Sequence, residues 1–486
     1  MGVMTAARPA RPARQSRLDA AGGRLTPAER AARGEEARAQ APLESHAAFG
    51  RPPGRPDPLT LLQQQAATRV PGLVPVRYGR MMVSPFAYFR GAALPMASDL
   101  AATPVSGLRV QACGDAHLSN FGLFGSAERR LVFDLNDFDE TLPGPWEWDV
   151  KRLAASMEIA ARDNGFPRKK RRDIVLATVA GYGQAMRDFA GMSNLDVWYA
   201  SADVDRLLAE FGPALRGKQR KRVETSMAQA RTRDSMQAVG KLTRTVDGRP
   251  RIMSDPPLLV PLDELITQPA RRKGYESEVT GLIASYRRTL ASDRRHLLDQ
   301  FEFVHMARKV VGVGSVGTRC WIVLMLGRDT GDPLLLQVKE AEQSVLSHFA
   351  GPSQYANQGQ RVVAGQRLMQ ASSDIFLGWQ HIDAGLDNRP RDFYVRQLRD
   401  WKLSLDIGAV VPRGMRLYGQ LCGWTLARAH ARSGDRIAIA SYLGPSQEFE
   451  QAVTSFASGY ADQNETDHQA LVAAVRSGRI PAEQGL

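Results

Sequence analysis

The 486-residue sequence predicts an α+β fold of two lobes, one large and helical, the other smaller and built on an antiparallel sheet. Three observations lead there. Residues 113–140 alternate short apolar runs with a polar turn and end in a cluster of acids, the pattern of a hairpin. From Lys151 to Phe301 the longer apolar patterns recur at helical spacing. At Val304 the texture changes to β-type runs punctuated by Gly312, Gly314 and Gly317. The length exceeds one ordinary domain, and 43% hydrophobic residues are enough to build cores in both lobes.

Residues 1–56 hold ten Arg against five acids among Ala, Pro and Gly, and read as a disordered basic tail with at most a frayed helix near Pro27–Gln40. An idle tail is preferred there over a nucleic-acid-binding arm. Residues 57–303 form the catalytic hairpin and helical lobe. Pro58–Val70 is the first firm helix, and Arg77, Arg80 and Arg90 follow it, placed to meet phosphates or to neutralise the acids. Strands Asn120–Phe124 and Arg130–Asp134 flank a turn at Gly125–Arg129; helices cover Lys151–Arg162, Ile174–Met192 and Glu276–Phe301, with a turn at Val246–Pro250. The basic runs Lys169–Arg172 and Arg216–Arg222 lack interleaved aromatics and read as solvated helix faces. Residues 304–410 form the sheet lobe, with two β runs within Lys309–Met325, strands at Pro333–Ala341, Arg361–Gln370 and Asp392–Leu398, a helix at Glu342–Phe349 and a loop at Asp374–Trp379. Residues 411–486 are helices that pack back on the catalytic lobe: Met415–Arg432, Phe449–Gln463 and Asp467–Ser477.

A net charge of +13 and a pI near 9.9 point to anionic partners: phosphate-rich ligands, nucleic acid or an acidic protein. The three cysteines make neither a disulfide framework nor a zinc site. No apolar run is long enough to span a bilayer and no signal-peptide core opens the chain, so a cytoplasmic protein without a membrane partner is expected. Nothing in the sequence fixes an oligomeric state.

The chemistry concentrates at Asp115, His117, Asn120, Asp134, Asp137 and Asp139, which a hairpin throws to one end. Carboxylates so close raise each other's pKa unless a cation sits between them. Mg²⁺ held by one or two carboxylates plus substrate phosphates is the usual answer. Asn120 lies five residues beyond Asp115, and Asp137-Phe138 follows the hairpin. A protein-kinase site spaces its base Asp, metal-binding Asn and metal-binding Asp in this way. Gly312, Gly314, Ser315 and Gly317 on a strand–turn–strand, with Lys339 in a strand 22 residues after Gly317, match the parts that lay amides over ATP phosphates and offer them an ammonium. Lys339 in an apolar strand requires an acidic partner: Glu340, Glu342 or an acid more distant in sequence. Gln397 closes a strand suited to lead into a hinge over adenine, and His430 reads as a helix-end packing residue.

The Gly114-Asp115-Ala116-His117 and Asn120 pattern resembles the catalytic loop of aminoglycoside phosphotransferases and choline kinases, and Gly144-Pro145 with Asp149 resembles their next segment. Asp139 stands where the Gly of Asp-Phe-Gly would. The resemblance implies a protein-kinase-like two-lobe fold, but with its parts in reversed order. The chain therefore reads as circularly permuted, with 310–432 the nucleotide lobe and its following helix, 113–140 the catalytic and metal hairpin, and 150–300 the helical lobe. The blocks Arg80-Met81, Ser84-Pro85-Phe86, Asn136-Asp137-Phe138-Asp139-Glu140, Gln337-Val338-Lys339-Glu340-Ala341 and Ala429-His430-Ala431-Arg432-Ser433-Gly434-Asp435 further resemble the bacterial family named domain of unknown function 2252, from about Pro42 onward.

The expected activity is ATP- and Mg²⁺-dependent phosphoryl transfer to a small-molecule or protein acceptor. Asp115 orients or deprotonates the acceptor and His117 braces the loop. Asn120 and Asp137 hold Mg²⁺, with Asp134 and Asp139 as further candidates. Lys339 grips the α/β-phosphates beneath the glycine amides, with Glu342 and Gln397 in the nucleotide site. Adenylyl transfer uses the same parts. A metal-dependent phosphoesterase is an alternative, since Asp115-Ala116-His117 is similar to the start of a metallophosphoesterase motif. A non-enzymatic nucleotide- or nucleic-acid-binding protein is another.

Overall fold

The computed structural model describes residues 25–49, 54–205, 235–268, 279–384, 387–398 and 405–485, with Gly217, Lys221, Thr225, Met227, Ala228 and Trp401. Helix α4 (Trp146–Asp163) is the axis of the helical lobe. It is buried from Trp146 to Ala161, so every charge it carries needs a partner. Glu147 accepts from the Ser106 amide, Lys151 donates to Thr103, and Glu158 pairs with Arg162 and Arg171. Around it pack α5 (Arg168–Gly191), α7 (Pro412–Ser433) and α9 (Glu448–Arg476). Helices α5 and α7 approach closely because Gly423 faces the backbone: a Cβ there would stand 2.2 Å from the Thr178 carbonyl. Helices α2 (Val74–Met81) and α3 (Pro85–Gly91) lie between this lobe and the sheet.

The sheet lobe is antiparallel throughout, in the order β12 (Gly378–Ile382), β13 (Arg391–Gln397), β11 (Pro333–Ala341), β10 (Cys320–Leu326), β9 (Glu302–Lys309), β8 (Leu259–Pro261). The mixed α+β class with antiparallel sheets therefore holds. Alternation along β10 and β11 buries Val323, Met325, Leu334 and Leu336 with Tyr286 and Leu290 of the 279–298 region, and Ile322, Leu324 and Leu335 with Ala238 and Ile252. Helix α6 (Gln358–Met369) follows β11 and packs on β12 and β13. Two smaller pairings frame the acids. Strand β1 (Arg109–Ala112) pairs with β4 (Leu142–Pro145), and β2 (Phe121–Gly125) pairs with β3 (Leu131–Leu135). Strand β3 also meets β5 (Ala202–Asp203), and β6 (Thr243–Val246) forms a separate hairpin with β7 (Arg249–Ile252).

Several local expectations change. The segment Arg361–Gln370, expected as a strand, is α6: Asn357 caps it by accepting from the Gln360 amide, and Val362, Val363, Gln366 and Met369 form one buried helical face. The β-branched pair misled the reading. The helix expected at Glu342–Phe349 shrinks to Ser347–Ala350, because the Val345 amide is taken by Glu140 and the Ser344 hydroxyl by the Glu140 carbonyl. The two terminal helices are one, continuous across Asn464, whose amide donates to the Pro85 carbonyl. The Pro58 helix ends at Ala66, and the 276–301 stretch is helical over 279–287 and again over Ser292–Leu298.

In the tail, α1 (Pro27–Gln40) is a complete helix. A Thr26–Glu29 capping box starts it. Gly34 and Ala37 are buried, Arg30 pairs with Asp435, and Arg38 donates to the Tyr442 carbonyl of α8 (Arg436–Leu443). Disorder is thus not what residues 27–40 show; residues 1–24, and most of the Arg216–Arg222 run, lie outside the described residues.

Candidate functional site

The loop bearing Asp115 is set by backbone hydrogen bonds. Asp149, in the first turn of α4, accepts from the amides of Cys113 at 2.6 Å and Gly114 at 2.9 Å. Gly114 has φ +84°, and a Cβ there would stand 2.3 Å from the Glu140 carbonyl oxygen, so only glycine lets the loop lie on the acidic turn. His430, at the end of α7, bridges Asp149 at 3.2 Å and the Tyr182 hydroxyl at 3.0 Å, so it props the loop from behind. Asn120 donates from Nδ2 to the Asp115 carbonyl at 2.7 Å, closing the loop on itself.

Asp115 is met by Arg152 of α4, whose Nε lies 2.5 Å from Oδ1. Burial pushes the Asp115 carboxyl up, and Arg152 and Arg90 pull it back. His117 lies 3.8 Å from the other carboxylate oxygen. Burial first, then Arg90 and Arg152, hold its imidazole well below the usual range, so it is neutral.

Across from this loop stands Lys339. Its ammonium, almost fully buried on β11, reaches Asp139 at 2.6 Å and Asp137 at 4.0 Å. The strand's acidic partner is therefore an acid distant in sequence. Glu340 instead pairs with Arg319 and Arg391. Tyr394, opposite Lys339 in the ladder, donates its hydroxyl to the second Asp139 oxygen at 2.7 Å. Burial opposes ionisation of Asp139, but Lys339 and Tyr394 outweigh it and hold the carboxyl below its usual value. Asp137 is pushed up, by burial and then by Asp139, with Lys339 and Arg396 countering. One carboxylate is thus matched by an ammonium while its neighbour, enclosed beside it, is the one whose ionisation is disfavoured. Burial also pushes the Glu140 carboxyl up to about 7, against the pull of the Val345 amide and Arg361.

The glycine segment between β9 and β10 completes the cleft. Gly312 at φ +66° and Gly317 at φ +93° need the freedom of glycine. Their carbonyls are occupied: Gly312 accepts from Arg80 at 2.6 Å, Gly317 from the Val70 amide at 2.8 Å, and Val316 from Arg69. The amides of Gly312, Gly314, Ser315 and Gly317 donate to no group among the described residues. Tying carbonyls on one side while leaving amides unused makes an anion-binding concavity. Ser315 Oγ stands 3.5 Å from Asp139.

The structure thus gathers Asp115, His117, Asn120, Asp137, Asp139, Ser315 and Lys339 into one cluster. It withdraws Asp134 from that group and gives Glu342 and Gln397 other neighbours. Asp134 is consumed by Arg428 at 2.5 Å and by the Ala371 and Leu135 amides. Glu342 gives its carbonyl to Arg361, and its carboxylate favours the charges of Arg69 and Arg77. The Gln397 amide donates to Asp374, and its side chain helps line a cavity of about 170 Å³ with Leu123, Asn136, Asp374, Arg396 and Leu398.

Sequence reasoning missed Arg152, Arg361, Tyr394 and Arg396. Arg361 donates to the carbonyls of Asp139, Thr141 and Glu342, pinning the acidic turn to β11. Tyr394 and Arg396 alternate on β13 beside Lys339 and Gln337, a polar period of two that was legible. Arg152, one arginine inside an apolar helical stripe, was an equal signal.

As for metal, no group of three or more His, Cys, Asp or Glu side chains suited to an ion occurs among the described residues. A closed all-protein centre is therefore not built here. Asp137 and the side-chain oxygen of Asn120 are hard donors of the kind Mg²⁺ takes, an ion that draws its other ligands from phosphates and water. None of the described helices is long and apolar enough to cross a membrane. Residues 69–474 match the model of the family described as "Uncharacterized protein conserved in bacteria (DUF2252)", and the chain belongs to that family. Neither the curated proteins nor the solved structures provide a match.

Proposed function

We propose that this chain is an ATP- and Mg²⁺-dependent phosphotransferase on a circularly permuted, kinase-like plan. One observation carries it: the buried ammonium of Lys339 faces the Asp137–Asp139 pair, with the Asp115 carboxylate close enough to act on both acids. Counting β9 as the first strand, the glycine turn lies between first and second, the lysine is on the third, and α6 follows. A kinase nucleotide lobe places its glycine loop and lysine in this way. The permutation gains support where α7 ends, since the Gln111 amide of β1 donates to Ser433 Oγ at 3.1 Å. The helix that would precede the catalytic loop therefore abuts the strand entering it. Lys339 has no helix-borne glutamate as partner; Asp139, in the place of the missing glycine, takes that part.

In this reading the amides of Gly312, Gly314, Ser315 and Gly317 receive phosphate oxygens, and Lys339 shifts from Asp139 towards the α/β-phosphates. Bound Mg²⁺ supplies charge neutralisation between the phosphates, and Asp137 and Asn120 would hold it. Asp115, fixed by Arg152, orients the acceptor hydroxyl and takes its proton. Neutral His117 packs beside it as a brace. The cavity beside Gln397 and Leu398 offers an apolar wall from Leu123 for the base. The two-metal phosphoesterase alternative needs several His and Asp ligands together, which the described residues do not provide.

The test is thermal unfolding with ATP, with and without Mg²⁺. Wild type should gain stability that grows with ligand concentration. Asp137→Asn should lose the Mg²⁺-dependent part and Lys339→Ala most of the rise, each measured against its own ligand-free melting temperature. An unresponsive wild type, or equal rises in all three proteins, would refute the phosphotransferase assignment.

A further inference from the structure

Arg90 closes α3, and its backbone touches the glycine segment: a Cβ on Gly314 would stand 3.0 Å from the Arg90 carbonyl oxygen. Asp115 and then Asp137 are the carboxylates near enough to favour its charge. The residue therefore has its backbone against the glycine turn and its charge in the field of the acids.

The neighbouring charges are already matched in pairs. Arg152 answers Asp115, Lys339 answers Asp139, and Arg428 answers Asp134. Arg90 is in none of these pairs. Its Nε is buried without a partner, and no carboxylate lies within ion-pair distance of its guanidinium among the described residues. The residue is half-buried and only its Nε is enclosed, so its terminal nitrogens stay open to an anion where the two walls meet. The backbone on either side is fixed, with Arg152 donating to the Phe89 carbonyl and Arg77 to the Gly91 carbonyl, so the side chain is presented from a firm base.

We propose that Arg90 is a catalytic residue that contacts the transferring phosphoryl group, a cationic finger supplied in cis by the helices preceding the catalytic loop. The proposal rests on the phosphotransferase assignment above. In the step it serves, the bond from the γ-phosphorus to the bridging oxygen breaks, and its electron pair stays on the ADP β-phosphate. The acceptor hydroxyl oxygen forms the new P–O bond, and its proton passes to Asp115. In the transition state charge is spread over the three equatorial oxygens and builds on the departing bridging oxygen, which is where a fixed guanidinium gains most.

The experiment compares affinity for ADP–Mg²⁺ with affinity for ADP–Mg²⁺–aluminium fluoride, a mimic of the phosphoryl group in flight, by calorimetry and thermal shift. Wild type should bind the fluoride complex more tightly than ADP–Mg²⁺. Arg90→Gln should lose about 100-fold of that added affinity, as loss of one preorganised donor does, with ADP–Mg²⁺ binding little changed. Arg90→Lys, which keeps the charge but not the planar fork, should lose less, and it serves where the glutamine variant unfolds. A fluoride gain as large in either folded variant as in wild type overturns the role of Arg90 alone. A wild type that binds no ADP–Mg²⁺ overturns the phosphotransferase assignment and this proposal together.

Discussion

Asp134 and Asp137 stand three residues apart and do unrelated work. The first points into the interior from β3, 1% exposed, where burial pushes its carboxyl up and Arg428 pulls it down. The second lies beyond the strand's end, beside Lys339. Asp134→Asn should cost about 3–5 kcal/mol, because it strands the equally buried Arg428 without its anion. Urea denaturation would measure this, and the nucleotide-induced shift of the folded variant should persist. A metal-ligand role would give the reverse, modest destabilisation with loss of the Mg²⁺ response. Sequence alone left both aspartates as candidates, since spacing says nothing about which one an arginine from position 428 will reach. Lys339 was easier to recognise. A lone cation in Pro-Leu-Leu-Leu-Gln-Val-Lys must be matched somewhere, although the choice of Asp139 over Glu340 depends on which face of the strand each acid takes.

At the scale of elements, the hairpin, the lysine strand and the long α7 were readable because pattern length and period agreed with the tertiary setting. Helix α6 was not, since two adjacent valines imitate a strand and its capping Asn357 is a signal easily passed over. Close helix contacts are also invisible in an apolar pattern. Gly423 permits the α5–α7 approach, where an added methyl meets the Thr178 carbonyl and the Tyr182 amide at 2.2 and 2.8 Å. Gly423→Ala should therefore destabilise by about 1–3 kcal/mol despite the higher helix propensity of alanine. Gly240, inside the helix Ser235–Leu242, meets nothing within 4 Å, so alanine there should stabilise by roughly 0.5–1 kcal/mol. Opposite signs in the denaturation midpoints of these two variants would verify that backbone approach, and not propensity, decides.

For the molecule as a whole, the pattern gave the mixed α+β class but undervalued the N-terminal segment. Low apolar content there suggested disorder, yet α1 needs only Gly34 and Ala37 to seat on α8, with arginines reaching carbonyls and Asp435. Deleting residues 1–41 should remove about 2 kcal/mol and lower the melting temperature by roughly 5 °C. ATP binding should be retained, because no residue of the cleft is lost. An unchanged melting temperature would mean that α1 does not contribute to the fold.

The pairing of Lys339 with Asp139 joins positions 200 residues apart, the acid being the earlier. During synthesis at about 5–20 residues per second, the acidic turn therefore waits roughly 10–40 s for its counter-ion to leave the ribosome. Over that interval the nascent chain holds its carboxylates in water, where they cost least, and the two walls of the cleft cannot close before most of the protein has been made. Premature chain termination anywhere before the lysine strand would leave Asp139 without the ammonium that matches it.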